Sequence, residues 1–73
     1  MVDGELGVDA DVLRAVRELP DRQRMVVALR ILLELSTEET AAQLGIAPGT
    51  VTAHLHRALS SLRVRLMVKE ELW

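Results

Sequence analysis

The stretch LSTEETAAQLGIAPGTVTAHLHRALSSLR, residues 35–63, decides the fold. Ser36 followed three residues later by Glu39 is a capping box, in which each side chain satisfies a backbone amide beside the other, so a helix begins at about Thr37. It is short, running to Leu44, because Gly45 supplies a left-handed C-terminal turn. Pro48 then opens another helix, since its missing N–H is not needed in a first turn. That last helix runs past Met67, with Val51, Leu55, Ala58, Leu59, Leu62 and Leu66 as its buried stripe. A short helix, a glycine turn and a longer helix are the parts of a helix-turn-helix. The offsets agree: Ala41 is small where the helices cross, and Leu44 and Ile46 flank the glycine to plug the angle between them.

Upstream, two more helices are predicted. Asp9 precedes a periodic stretch that buries Val12, Val16 and Leu19, with Leu13 beside them. Pro20 ends it, and Asp21 is placed to cap the next helix. That second helix, to about Leu33, carries Met25, Val26, Leu29, Leu32 and Leu33 at helical spacing. Val27, Ala28 and Ile31 make it apolar on most sides, so it is expected to be the most buried helix, with a partner-facing side as the other reading of that surplus. The expected architecture is all-α, four helices with a C-terminal helix-turn-helix over residues 9–73, after a disordered lead-in at 1–8.

Composition bounds the function. Seventy-three residues leave room for one small core. The absence of cysteine removes disulfides, thiolate zinc sites and cysteine nucleophiles together, and suits a reducing cytoplasm. The one aromatic residue, Trp73, offers no stacking platform for RNA. No apolar run approaches the roughly 20 residues of a membrane span. His54 and His56 sit about 200° apart on a helix and cannot share a metal ion. The serines have no acid oriented behind a histidine, so neither an enzyme nor a cofactor site is expected. Net charge is −2, but it is unevenly spread: residues 1–34 hold seven acids and five bases, residues 40–69 four bases and no acid.

That acid-free segment contains the recognition helix. With Val51 inward, Gly49, Ala53, His56, Arg57 and Ser60 point outward and Thr52 and His54 flank them. The first turns of such a helix meet base edges in the major groove, so Thr52, Ala53, His54 and His56 form the base-facing set. Thr and Ala suit a thymine methyl, and His donates to a purine N7 or O6. Arg57 and Arg63 are assigned to phosphate, with Arg65 a further candidate, and the helix start at Ser36 and Thr37 adds amides for the same purpose.

Taken with "LPDRQRMVVALR" (residues 19–30), these pieces resemble region 4 of a bacterial sigma-70-type factor, most closely the extracytoplasmic-function group, over about residues 12–66. The resemblance rests on Leu19-Pro20, Arg24, Val26-Val27, Leu35-Ser36, Glu39, Ala41, Leu44-Gly45, Gly49-Thr50-Val51, Leu55, Arg57-Ala58 and Leu62-Arg63. It implies binding of the −35 promoter element, docking on the β flap of RNA polymerase core, and sequestration by an anti-sigma factor. It also implies a monomer held by polymerase.

Four positions depart from that pattern. Glu34 stands where the family has glycine, so the usual left-handed exit from the second helix is not expected, and a re-angled helix there would favour domain swapping. Thr40 replaces a core isoleucine. Ala47 replaces a serine cap, a loss of about 1 kcal/mol. Thr52 and His54 replace basic residues. Two other readings stay open: an output domain of the LuxR type, which shares Thr50, Val51, His54 and Leu55, and an interaction module that keeps the fold without DNA contact. The apolar tail, Met67, Val68, Leu72 and Trp73, is expected to fold back on the first helix, with a partner or self-association patch as the other reading.

Overall fold

The computed structural model describes residues 10–71, with side chains to residue 67. Over this range the chain is all-α: α1 (Ala10–Arg17), α2 (Asp21–Val27, continued by a π-helical turn over Ala28–Leu32), α3 (Thr37–Leu44) and α4 (Pro48–Glu71). The 1–8 lead-in, Asp9, and the packing of Val68, Leu72 and Trp73 lie outside the described residues; Met67 is half exposed.

Two small clusters make the core. Ala15 of α1, Leu19 just beyond its end, Val27 of α2, and Ala58 and Leu62 of α4 form one, with Val16 and Leu55 against it. Val26, Ala41 and Val51 form the other, which closes the helix-turn-helix, with Leu44, Ile46 and Leu55 against it. Leu55 touches both. Ala15, which the sequence reading passed over, is buried, whereas Leu13 and Leu59, placed near or in the buried stripes, are largely exposed.

Helix ends show where local chemistry acts. Asp21 does not cap α2: Pro20 is the N-cap residue, without a side-chain bond, and Asp21 instead accepts from Arg24 Nη2 at 2.6 Å in the first turn. Arg24 also donates through Nη1 to the Arg17 carbonyl at 3.0 Å, tying the end of α1 to α2. The capping box of α3 is complete: the Glu39 amide donates to Ser36 Oγ at 3.0 Å, and the Ser36 amide to Glu39 Oε1 at 2.8 Å. Gly45 takes the left-handed conformation (φ +68°), so the amides of Gly45 and Ile46 both reach the Ala41 carbonyl.

The expectation at Glu34 is corrected. The left-handed turn is made, by the glutamate itself at φ +58°. α2 leaves through a widened ladder, with Leu33 N–H donating to the Ala28 carbonyl at 3.0 Å and Leu35 N–H to that of Leu29 at 2.9 Å. These bonds over-determine the turn and hold an L-residue in a region that costs it roughly 1–2 kcal/mol. The exit from α2 is thus the left-handed turn that residue type argued against. Glu34→Gly is expected to raise stability by about 0.5–1 kcal/mol, the strain relieved less the extra entropy of an unfolded glycine. A urea midpoint shifted upward at unchanged slope would show it; no shift would mean the glutamate pays no strain.

α2 is central, but it is not covered on all sides. Val26 and Val27 are inside, but Met25, Ile31, Leu32 and Leu33 are exposed, the last two by 62% and 65%. α2 packs against α1, α3 and α4, but an apolar sequence all round still leaves part of its surface uncovered.

Candidate nucleic-acid interface

α4 is positioned by Val51 and Ala58, both fully buried, which fix its rotation. The residues opposite them then face solvent. Thr52, His56, Arg57, Ser60 and Arg63 are exposed, whereas Ala53 and His54 are half-buried. Ala53 lies on the outer arc but is too short to project beyond its neighbours in the turns on either side. The His54 Nδ1 is buried without a hydrogen-bond partner, which leaves this ring turned partly inward. Of the four base-facing candidates, Thr52 and His56 thus stand clear of the surface, one helical turn apart.

Thr52 donates its hydroxyl back to the Pro48 carbonyl at 3.3 Å. What it offers outward is therefore chiefly its γ-methyl group, the part that suits a thymine methyl. Ala47 cannot cap with its side chain, but its carbonyl accepts from the Thr50 and Val51 amides at 3.0 and 3.1 Å, so α4 starts in regular geometry.

Among the phosphate candidates, Arg57 and Arg63 project from opposite flanks of the outer arc, and no acidic residue shares that arc. Arg65 does not join them. It forms an ion pair with Glu18, 47 residues earlier, which fastens α4 to the end of α1 and compensates its charge. Ser36 is exposed and Thr37 half-buried at the start of α3. The capping box engages the Ser36 and Glu39 amides, so the Thr37 and Glu38 amides are those left to face an anion, beside two carboxylates that oppose one. This makes the α3 terminus a weaker phosphate contact than Arg57 or Arg63.

The two histidines face different environments, and among the described residues no group of three acidic, histidine or cysteine side chains is gathered to hold a metal ion. Among the same residues no helix is long and apolar enough to cross a membrane.

Fold and surface together define a helix-turn-helix module whose recognition helix carries no acid from Pro48 to residue 69. Its sequence places it further: residues 9–62 match the model for "Sigma-70, region 4", and the chain belongs to that family. It is similar to the RNA polymerase sigma-E factor of Streptomyces coelicolor, 50% identical over 60 residues, covering 82% of this chain and 32% of that protein. The sigma-E factor of Streptomyces antibioticus is 48% identical over 59 residues, covering 81% and 33%. The ECF RNA polymerase sigma factor SigD of Mycobacterium tuberculosis is 38% identical over 63 residues, covering 81% and 30%. The chain thus spans about a third of the length of these relatives. Of the two DNA-binding families left open by the sequence, region 4 is the one whose model matches.

Proposed function

We propose that this chain recognises the −35 promoter element in transcription initiation, as the C-terminal domain of a sigma factor or as its separate equivalent. The observation that carries the reading is the outer arc of α4: Thr52, His56, Arg57, Ser60 and Arg63 exposed together, with no acid from residue 40 to residue 69. Thr52 and His56 read bases, with Ala53 and His54 at the margin. Arg57 and Arg63 hold phosphates, assisted by the start of α3 at Ser36 and Thr37. The exposed stripe of α2 docks on RNA polymerase core at the β flap, and an anti-sigma factor competes for the domain. The domain acts in the cytoplasm as a monomer held by polymerase, which supplies the affinity that so sparse a basic face lacks.

Selection of bound duplexes from a randomised pool at low salt, followed by anisotropy titrations, tests this. One short asymmetric element bound by a monomer is expected, with log affinity falling against log salt at a slope of about −2 for two arginine contacts. Arg57→Ala should weaken all duplexes alike and reduce that slope by about one. His56→Ala should leave the slope and change the preferred base at one position. A palindromic element would overturn the monomeric reading. Retention of no duplex at any salt, alone or with polymerase core, would overturn DNA contact.

A further inference from the structure

Two arginines of α2 reach the two ends of α3. Arg22, in the first turn of α2, donates from Nη1 to the carbonyl of Leu44, the last residue of α3, at 3.3 Å. Arg30, in the π-helical turn at the far end, donates from Nη1 to the Leu35 carbonyl, one residue before the Ser36 cap, at 2.7 Å. Eight residues of helix separate the arginines, about 12 Å, close to the length of the eight-residue α3 between their acceptors. α3 has acids in its first turn and no base in its last, so the cation that complements its C-terminal dipole comes from the neighbouring helix. Arg30 is half-buried, and its Nε is buried without a partner. A desolvated donor left unpaired opposes folding, so packing alone would favour an apolar side chain at this position.

We infer that Arg22 and Arg30 are positioning residues: a two-point clamp that sets the tilt of α3 against α2 and, through the Gly45 turn, the angle at which α4 is presented. Both guanidinium bonds go to backbone carbonyls at the ends of α3 and not to α4. Each fixes one end of α3, Arg30 by holding the loop that enters it and Arg22 by holding the turn that leaves it. The consequence for base selectivity rests on the DNA reading above; the clamp itself does not. Reading groups must be held to within about 10–20° of their working geometry. A loosened α3 would therefore blur which bases Thr52 and His56 meet while leaving Arg57 and Arg63 able to find phosphates.

The test is a pair of glutamine substitutions, R22Q and R30Q, singly and together, with helix orientations measured by residual dipolar couplings well below the melting temperature. In the folded double variant the couplings within α2, α3 and α4 should each fit one helix, with α3 reoriented relative to α2. Unchanged orientation would overturn the clamp. R22Q, at an exposed position, keeps the proposal testable should R30Q fail to fold: its shifts should concentrate at Leu44–Ile46 and spare Leu35–Thr37, and the reverse pattern would overturn the assignment. Arg30→Lys, which retains a cation of similar reach, should restore part of the orientation lost in R30Q. Where the wild-type domain binds a selected duplex, the double variant should lose about tenfold in discrimination against a single mismatch, with its salt slope kept. A domain that binds no duplex would sink the DNA reading and leave the orientation measurement to decide the clamp.

Discussion

Thr40→Val is expected to make the domain more stable, by about 1–3 kcal/mol. Thr40 is completely buried in α3, beside the Ala41 that packs between Val26 and Val51. Its backbone amide is satisfied by the Ser36 carbonyl at 2.9 Å, but its hydroxyl oxygen meets no partner. Folding strips water from that hydroxyl and gives nothing back. Valine has nearly the same shape and no polar atom, so the desolvation cost disappears without a cavity. In a domain of this size each kcal/mol moves the melting temperature by roughly 4–8 °C, so the shift is easily read by calorimetry. A fall in melting temperature would mean that the hydroxyl is bonded after all, to an ordered water. The departure from isoleucine noted in the sequence thus has a physical counterpart: a hydroxyl stands where apolar volume belongs.

Ala58→Leu should act in the opposite direction, costing about 1–3 kcal/mol and lowering the melting temperature accordingly. Ala58 is fully buried between Ala15, Leu19, Val27 and Leu62, where α1 and α2 both meet α4. Three added carbons have no void to enter, and α1 is tethered by Arg24 to the Arg17 carbonyl and by the Glu18–Arg65 pair. The helix must shift or the leucine must leave its preferred rotamers. A melting temperature within a degree of wild type would show that α1 slides freely on α4, and that its tethers carry no weight.

The helix-turn-helix half was legible because its signals are local. Ser36 with Glu39, Gly45 and Pro48 each fix backbone geometry within a few residues, and the structure places α3 and α4 where they indicate. The face of α2 was not legible, because a helix that is apolar all round has no periodicity to show which side is inside. Glu34 was misread for a different reason. Residue type argued against a left-handed turn, and the bonds from Leu33 and Leu35 that enforce one depend on the π-helical turn before it. On the surface of α4 the basic residues could be found by rotation about the helix, but not their engagement: Arg65 is claimed by Glu18 from the other end of the chain. Arg22 and Arg30 left no trace in the pattern, since backbone carbonyls as acceptors have no letter in a sequence.

Leu55 lies against both halves of the core. A side chain shared in this way makes the two clusters stand or fall together, so heating should produce one transition by every probe, with no interval in which the reading head is intact and its support has melted. For a small recognition element this amounts to a form of quality control. A damaged copy does not linger with one half of its fold intact; it is lost as a whole.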